Sequence, residues 1–231
     1  MIDIKLLKRT VAGIATAVAF ASAASAATFS VLGGTQTTLP TDFDAALMAG
    51  PAPLPAVGDP ITSFSGATPF GGKQGLYISA SSQLTFTYLG REATATNTAS
   101  QFSMGGTLLS NQQNVGTTAT AGQAGPGFVD FVFTTLEGMF EDINGNGSTM
   151  ESLSIANAGS SSFSGLHIAF GMVFNNGRSV LAFFGDGRGD SDYDDMVVRI
   201  DAVPLPASAL LLLGAMGGLG ALRLRKKAAA A

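Results

Sequence analysis

The chain has 231 residues but no cysteine, no tryptophan and only one histidine. Without cysteine it forms no disulfide bonds, no thiolate metal sites and no cysteine nucleophile. A Ser-His-Asp triad would need His167, which begins a run of apolar residues where a structural role is expected, and no Gly-x-Ser-x-Gly motif is present. Phosphate-binding loops and cofactor fingerprints are missing as well. These absences argue against an enzyme.

The N-terminus has the three parts of a secretory signal peptide. Lys5, Lys8 and Arg9 precede an apolar run over residues 11–20, and Ala24-Ser25-Ala26 supplies a small-x-small cleavage site. We therefore assign residues 1–26 to a signal peptide and expect an exported domain over residues 27–202.

That domain is strongly acidic. Residues 27–202 contain five cations and fifteen carboxylates, a net charge of −10, whereas the whole chain carries −4. Such a domain repels nucleic acid and attracts divalent cations or basic surfaces. We therefore expect no nucleic-acid partner.

The last 29 residues, 203–231, combine a proline-rich motif, an apolar segment and a basic tail. Because proline pairs end regular structure, the motif should be an exposed, extended peptide. The apolar segment, residues 208–222, predicts a membrane helix, somewhat short against the roughly 20 residues of a stable span. The cations that follow keep that end in the cytoplasm. The motif is Val203, Pro204, Leu205, Pro206 and Ala207, and the cations of the tail, residues 223–227, are Arg223, Arg225, Lys226 and Lys227.

This ending resembles the PEP-CTERM family of bacterial sorting signals, in the variant whose motif reads VPLPA. The resemblance covers only residues 203–231. It implies a Gram-negative bacterium, transient residence in the inner membrane, and an exosortase that cleaves near the motif and releases the protein to the cell surface or extracellular matrix. Exopolysaccharide is then a candidate partner, and a structural or adhesive role the expected function. An ordinary single-pass membrane anchor is the alternative.

An acidic stretch, residues 185–200, is the most suggestive part of the domain. It resembles a terminal motif of PEP-CTERM proteins and is similar to the end of the DUF4114 family of secreted β domains. Its carboxylates repel one another, which either calcium or full solvation relieves. Calcium at Asp190, Asp192, Asp194 and Asp195 would make the domain a calcium-stabilised glycan-binding module; otherwise these residues are caps and turns that bound the last strand.

A second oxygen-rich loop contains Asp142, Asn144 and Asn146, which fit the first half of an EF-hand loop. The second half fails, because Leu153 stands where a bidentate Glu is needed. The loop is either a weak calcium site or a plain Asn-Gly turn.

The pattern of the domain is β throughout and predicts a single antiparallel β-sandwich or jelly roll. Leu84, Phe86 and Tyr88 alternate with threonines, the period of a half-buried strand. Asn175-Asn176-Gly177 predicts a hairpin turn. The strands are predicted at residues 29–32, 76–79, 83–89, 101–109, 129–134, 167–174, 179–184 and 196–201.

Three segments depart from this pattern. A short helix is predicted over residues 41–48, with Thr41 as its N-cap and Asp44 three residues on. Residues 49–60 and 111–127 are rich in proline, glycine or polar side chains, and are predicted to be exposed, mobile connections.

Overall fold

A computed structural model describes residues 27–65, 74–93, 95–101, 106–123, 125–136, 152–159, 165–186 and 193–203. All of them belong to one compact unit, Ala27–Val203. They form fourteen strands and one 3-10 turn, and the described residues contain no α-helix. The all-β prediction is confirmed.

The strands are numbered in the order in which they follow one another along the chain. They are β1 (Phe29–Leu32), β2 (Thr35–Thr38), β3 (Pro60–Ser65), β4 (Gly75–Ile78), β5 (Ser82–Gly90), β6 (Thr96–Ser100), β7 (Thr107–Ser110), β8 (Thr118–Gln123), β9 (Gly127–Phe128), β10 (Val132–Leu136), β11 (Ser152–Ala156), β12 (His167–Phe174), β13 (Ser179–Gly185) and β14 (Met196–Val203).

These strands pair into three antiparallel sheets. The largest has the order β2-β3-β12-β13-β14-β5-β8, and the others have the orders β11-β10-β6-β7 and β1-β4-β9. The last strand in sequence, β14, lies near the middle of the large sheet, where it pairs with β13 on one side and with β5 on the other. The several antiparallel sheets are consistent with the predicted β-sandwich.

One apolar core contains side chains from all three sheets. Phe133 of β10 stacks on Phe184 of β13 with ring centroids 5.0 Å apart. Phe131, which directly precedes β10, packs edge-on against Phe170 of β12 and Phe86 of β5. The alternation of Val129, Phe131 and Phe133 toward the core is as predicted, since all three are buried. Aromatic burial of this size dominates the energetics of a core that has no disulfides.

The other face of the large sheet is covered by the segment between β2 and β3. Leu39, Phe43 and Met48 form a second apolar cluster with residues of β13 and β14. The Phe43 ring packs edge-on against Phe183, with ring centroids 6.1 Å apart. This segment thus seals a sheet face that would otherwise be exposed.

The predicted helix over residues 41–48 is wrong. Only Ala45–Leu47 form a 3-10 turn, and its N-cap is Asp44, whose side chain accepts a hydrogen bond from Ala46 N. The chain is extended again at Met48. The reason is tertiary packing: a segment that lies across the sheet buries its few apolar side chains there, which overrides a weak local preference for a helix.

The predicted Asn-Asn-Gly hairpin joins β12 and β13. Asn175, Asn176 and Gly177 all have positive φ angles, 52°, 56° and 81°. The Gly177 carbonyl also accepts a hydrogen bond of 2.6 Å from Phe29 N, which attaches the turn to the start of the domain.

Other strand predictions differ in their bounds or were missed. The strand predicted over residues 101–109 begins only at Thr107 within the described residues, and residues 129–131 are irregular. β2, β3, β6, β8, β9 and β11 were not predicted. The connection expected at residues 111–127 is wrong for Thr118–Gln123, which forms β8 against β5. Its threonine and alanine side chains give little hydrophobic alternation, and its pairing is decided by its neighbour.

We predict that Thr135→Val stabilises the domain. The Thr135 hydroxyl is buried in β10 with no hydrogen-bond partner among the described residues, and an unsatisfied buried hydroxyl costs about 1–3 kcal/mol. Valine has nearly the same shape and suits a strand. Chemical denaturation should therefore show an unfolding free energy higher by ~1 kcal/mol.

Thr134→Val, at the adjacent partly exposed position, is the matched control and should change the unfolding free energy little. An equal gain at both positions would show that strand preference, and not the buried hydroxyl, is responsible.

Candidate functional site at the acidic end of the central strand

The acidic stretch leads into β14. Within it the structure describes Gly185, Asp186 and residues 193–200, whereas Asp190 and Asp192 lie outside the described residues. Tyr193 has a left-handed φ of 67°, and the next residue, Asp194, forms a parallel bridge with Phe184. This turn brings the chain back beside the end of β13 before β14 begins.

Asp194 joins three parts of the fold. Its side chain is fully buried, and Oδ2 accepts a hydrogen bond of 2.6 Å from Asp44 N, in the segment that covers the large sheet. Its backbone carbonyl accepts one of 2.8 Å from Glu92 N, just after β5. A carboxylate that accepts backbone N–H groups makes strong, charge-assisted hydrogen bonds. Asp194 therefore holds the covering segment against the start of the central strand.

Asp195, the next residue, also accepts a hydrogen bond from a backbone N–H group. Its Oδ2 accepts a hydrogen bond of 2.5 Å from Asp186 N, so that it closes the two ends of the acidic loop on each other. Its backbone carbonyl accepts a hydrogen bond of 3.2 Å from Asn97 Nδ2 on β6. Asp195 as a residue is only 8% exposed.

Asparagines that were not predicted as site residues support this end of the core. Asn97 N donates to Asn111 Oδ1 at 3.0 Å, and Asn111 Nδ2 donates to the Ala95 carbonyl at 2.8 Å. The Tyr88 hydroxyl donates to the Asn111 carbonyl at 3.3 Å. Burial raises the pKa of Tyr88, against an opposing effect of the Arg91 charge, so the phenol stays a donor. No periodicity or charge pattern in the sequence marks the two asparagines.

His167 lies at the start of β12, next to the same turn. Its ring packs edge-on against Tyr193, with ring centroids 6.0 Å apart, and burial lowers the pKa of the imidazole below its usual 6.5. A half-buried, neutral imidazole that contacts an aromatic ring fits the structural role expected from the sequence.

The contacts of Asp194 and Asp195 bear on the two interpretations of the acidic stretch. The carboxylates of Asp194 and Asp195 accept hydrogen bonds from backbone N–H groups. This is what we expect if the two residues are caps and turn residues. Within the described ranges no group of three His, Cys, Asp or Glu side chains could hold a metal ion. The other proposed calcium ligands, Asp190, Asp192, Asp142, Asn144 and Asn146, lie outside those ranges, so calcium binding by them stays a prediction.

The predicted sorting motif begins where β14 ends. Val203 is the last residue of the strand, and its carbonyl accepts a hydrogen bond of 2.9 Å from Ser82 Oγ. In the part of the chain that the structure describes, no helix is long and apolar enough to cross a membrane. The remaining motif residues Pro204, Leu205, Pro206 and Ala207, and the cations Arg223, Arg225, Lys226 and Lys227, lie outside that part.

Comparisons with known proteins identify no relative. No family model, no curated protein and no solved structure matches the chain.

We predict that Asp194→Ala destabilises the domain whether or not calcium is present. The change removes the acceptor of the Asp44 N–H, and loss of a buried hydrogen bond of this kind costs about 1–3 kcal/mol. Asp42→Ala, at an exposed carboxylate in the same covering segment, is the control and should have little effect. The unfolding free energies are to be measured in calcium and in EDTA. A loss seen only with calcium would show that Asp194 acts as a metal ligand.

We also predict that His167 makes the domain less stable as the pH falls below about 6.5, the usual pKa of histidine. Because burial lowers the pKa in the folded state, the unfolded chain binds the proton more readily. The stabilising effect of the neutral His167 is therefore fully present above the pKa of the unfolded chain. It is lost as the pH falls from that value through the lower pKa of the folded state. His167→Gln should show a smaller drop in melting temperature between pH 7.5 and 5.5 than the wild type. An identical drop in both proteins would contradict the prediction.

Proposed function

We propose that the chain is an exported protein of a Gram-negative bacterium that is held briefly in the inner membrane and processed at its C-terminus by an exosortase-type enzyme. It then resides at the cell surface or in the extracellular matrix, with a structural or adhesive role. The observation that carries this proposal is the position of the motif: β14 ends at Val203, which is the first residue of VPLPA.

Because the motif lies at the end of the last strand, cleavage in the motif would leave the fold of the domain intact. β14 is paired on both sides, so a cut within it would remove a central strand. Pro204 cannot donate to a sheet, which makes it a natural end to the ladder. A cut between residues 203 and 207 would leave every core residue that the structure describes in the released domain. The motif thus stands at the first point where processing costs the fold nothing.

A structural rather than catalytic role is supported by how the polar groups are used. Asp194 and Asp195 bind backbone groups of the same domain. Arg199 forms an ion pair of 2.8 Å with Asp201, also within the domain. These side chains contribute to the fold, and the acidic surface suits a hydrated matrix.

The proposed organisation of the full chain is a signal peptide over residues 1–26, one sandwich or jelly-roll domain, and a short membrane helix over residues 208–222. The described unit, Ala27–Val203, supports the limits of the domain.

The test is C-terminal peptide mass spectrometry on the native protein from two fractions, envelope membranes and extracellular matrix. We expect matrix protein to end between residues 203 and 207. A chain that is intact through Lys227 and is found only in membranes would instead indicate a permanent single-pass anchor. Retention in the cytoplasm would overturn export altogether.

A variant with Pro204→Ala and Pro206→Ala tests the motif itself. It should accumulate in the membrane fraction with its tail intact. Both prolines follow β14, so the melting temperature should not change, and this distinguishes a processing defect from misfolding.

A further inference from the structure

The edge strands of this domain are uncharged. The three sheets end in β1, β2, β7, β8, β9 and β11, and these six strands contain no Asp, Glu, Lys, Arg or Pro. Natural sheets usually protect their edges with charges or proline, because an exposed edge is a template for another strand. Here the charged strand residues Arg199 and Asp201 lie in the central strand β14 instead.

Of the two edges of the large sheet, the β2 edge is the more open. All four residues of Thr35–Thr38 are exposed. The opposite edge, β8, is covered in part, because Gln101 Nε2 donates to the Gly122 carbonyl at 3.3 Å.

The direction of the β2 backbone groups follows from the adjoining residue. Leu39 N donates to the Asp59 carbonyl, and the Leu39 carbonyl accepts from Gly58 N, both at 2.9 Å, so Leu39 faces the β3 side. Bonding direction alternates along an antiparallel strand. Thr35 and Thr37 therefore also bond toward β3, whereas the N–H and C=O groups of Gln36 and Thr38 point away from the sheet. The position of Thr38 opposite Pro60, which has no N–H, agrees with this.

This arrangement is complementary to a second copy of itself. The two outward-facing residues flank Thr37 symmetrically. In an antiparallel two-fold pairing, Gln36 would bond with the second copy's Thr38, and Thr38 with the second copy's Gln36. Thr37 would then face the second copy's Thr37 in a non-hydrogen-bonded pair, with Cα atoms ~4.5 Å apart. Cross-strand threonine pairs of this kind are favourable.

The distribution of charge also favours contact between two copies at the β2 edge. Two domains of net charge −10 repel each other, so contact is easiest where neither presents charge. No ionisable side chain occurs between Phe29 and Thr38. The approach of a second copy to β2 therefore brings no carboxylate of this strand, or of the strand before it, against its counterpart.

We propose that β2 is a self-association edge, through which two copies of the chain pair antiparallel and join their large sheets into one. Four strand residues make a weak contact, which is populated where the local concentration is high. The inference does not depend on how the chain is sorted.

The test uses the lack of cysteine in this chain. The full-length protein with the single change Thr37→Cys is purified in mild detergent and oxidised with copper phenanthroline. The expected Cα separation lies in the range that a disulfide spans, about 4.4–6.8 Å, so a dimer should appear on non-reducing gels. Thr120→Cys, at a threonine that is also exposed but lies on the opposite edge, is the control and should cross-link much more slowly. Equal rates at both positions, or no dimer from Thr37→Cys, would overturn the proposal.

A second change in the Thr37→Cys protein tests the pairing. Gln36→Pro removes an N–H that points to solvent and leaves the bonds to β3 in place. Each dimer loses two hydrogen bonds, which should slow cross-linking roughly tenfold with an unchanged melting temperature. Gln36→Glu, which adds like charge at the edge, should also slow it. Cross-linking that is unaffected by both changes would show that the cysteines meet without strand pairing, and would overturn the proposal.

Discussion

The pairing of the last strand on both sides is the interaction on which the rest of the structure depends. β14 matches β5 over Val197–Val203 and β13 over Val197–Asp201. One face of the strand contributes Val198 and Ile200 to the main core, and the other contributes Val197 to the cluster under the covering segment. The strand therefore links both apolar layers, and its start is fixed by the hydrogen bonds of Asp194 and Asp195. Without it the large sheet would separate into two parts.

This arrangement makes the sheet depend on contacts between distant parts of the chain. β5 and β14 are neighbours in space although more than 100 residues separate them in sequence. A long loop must close before the contacts of such a strand pair can stabilise the fold, so the pair forms slowly. The large sheet cannot be completed until residue 203 is available, and the proline-rich motif follows at once. Under the proposed function, the tail that holds the domain in the membrane therefore follows directly after the strand that completes the fold.

The elements that could be predicted from the sequence are those whose own residues form a recognisable local pattern. Phe29–Leu32 has the predicted bounds, and β12, the Asn-Asn-Gly turn and β13 were found because bulky alternation and positive-φ residues are local signals. β2 and β8 were missed because short strands of threonine, alanine and glutamine owe their pairing to neighbours. At the site, the sequence placed Asp194 and Asp195 at the start of the last strand. It could not show that Asp194 accepts a hydrogen bond from Asp44, because 150 positions separate the two residues.

The central position of β14 in the large sheet also explains the distribution of charge. A strand that is buried on both faces tolerates charge only as a compensated pair, and Arg199 meets this condition through Asp201 and through the Phe174 ring, 4.9 Å from its guanidinium carbon. Most described carboxylates lie in turns and connections instead, and none lies in an edge strand. Repulsion between exposed charges is screened beyond about 8 Å at physiological salt. An acidic domain can therefore stay soluble through its loops and still present uncharged edges to a neighbour. The limit on association is then the length of the edge, and β2 offers only four residues.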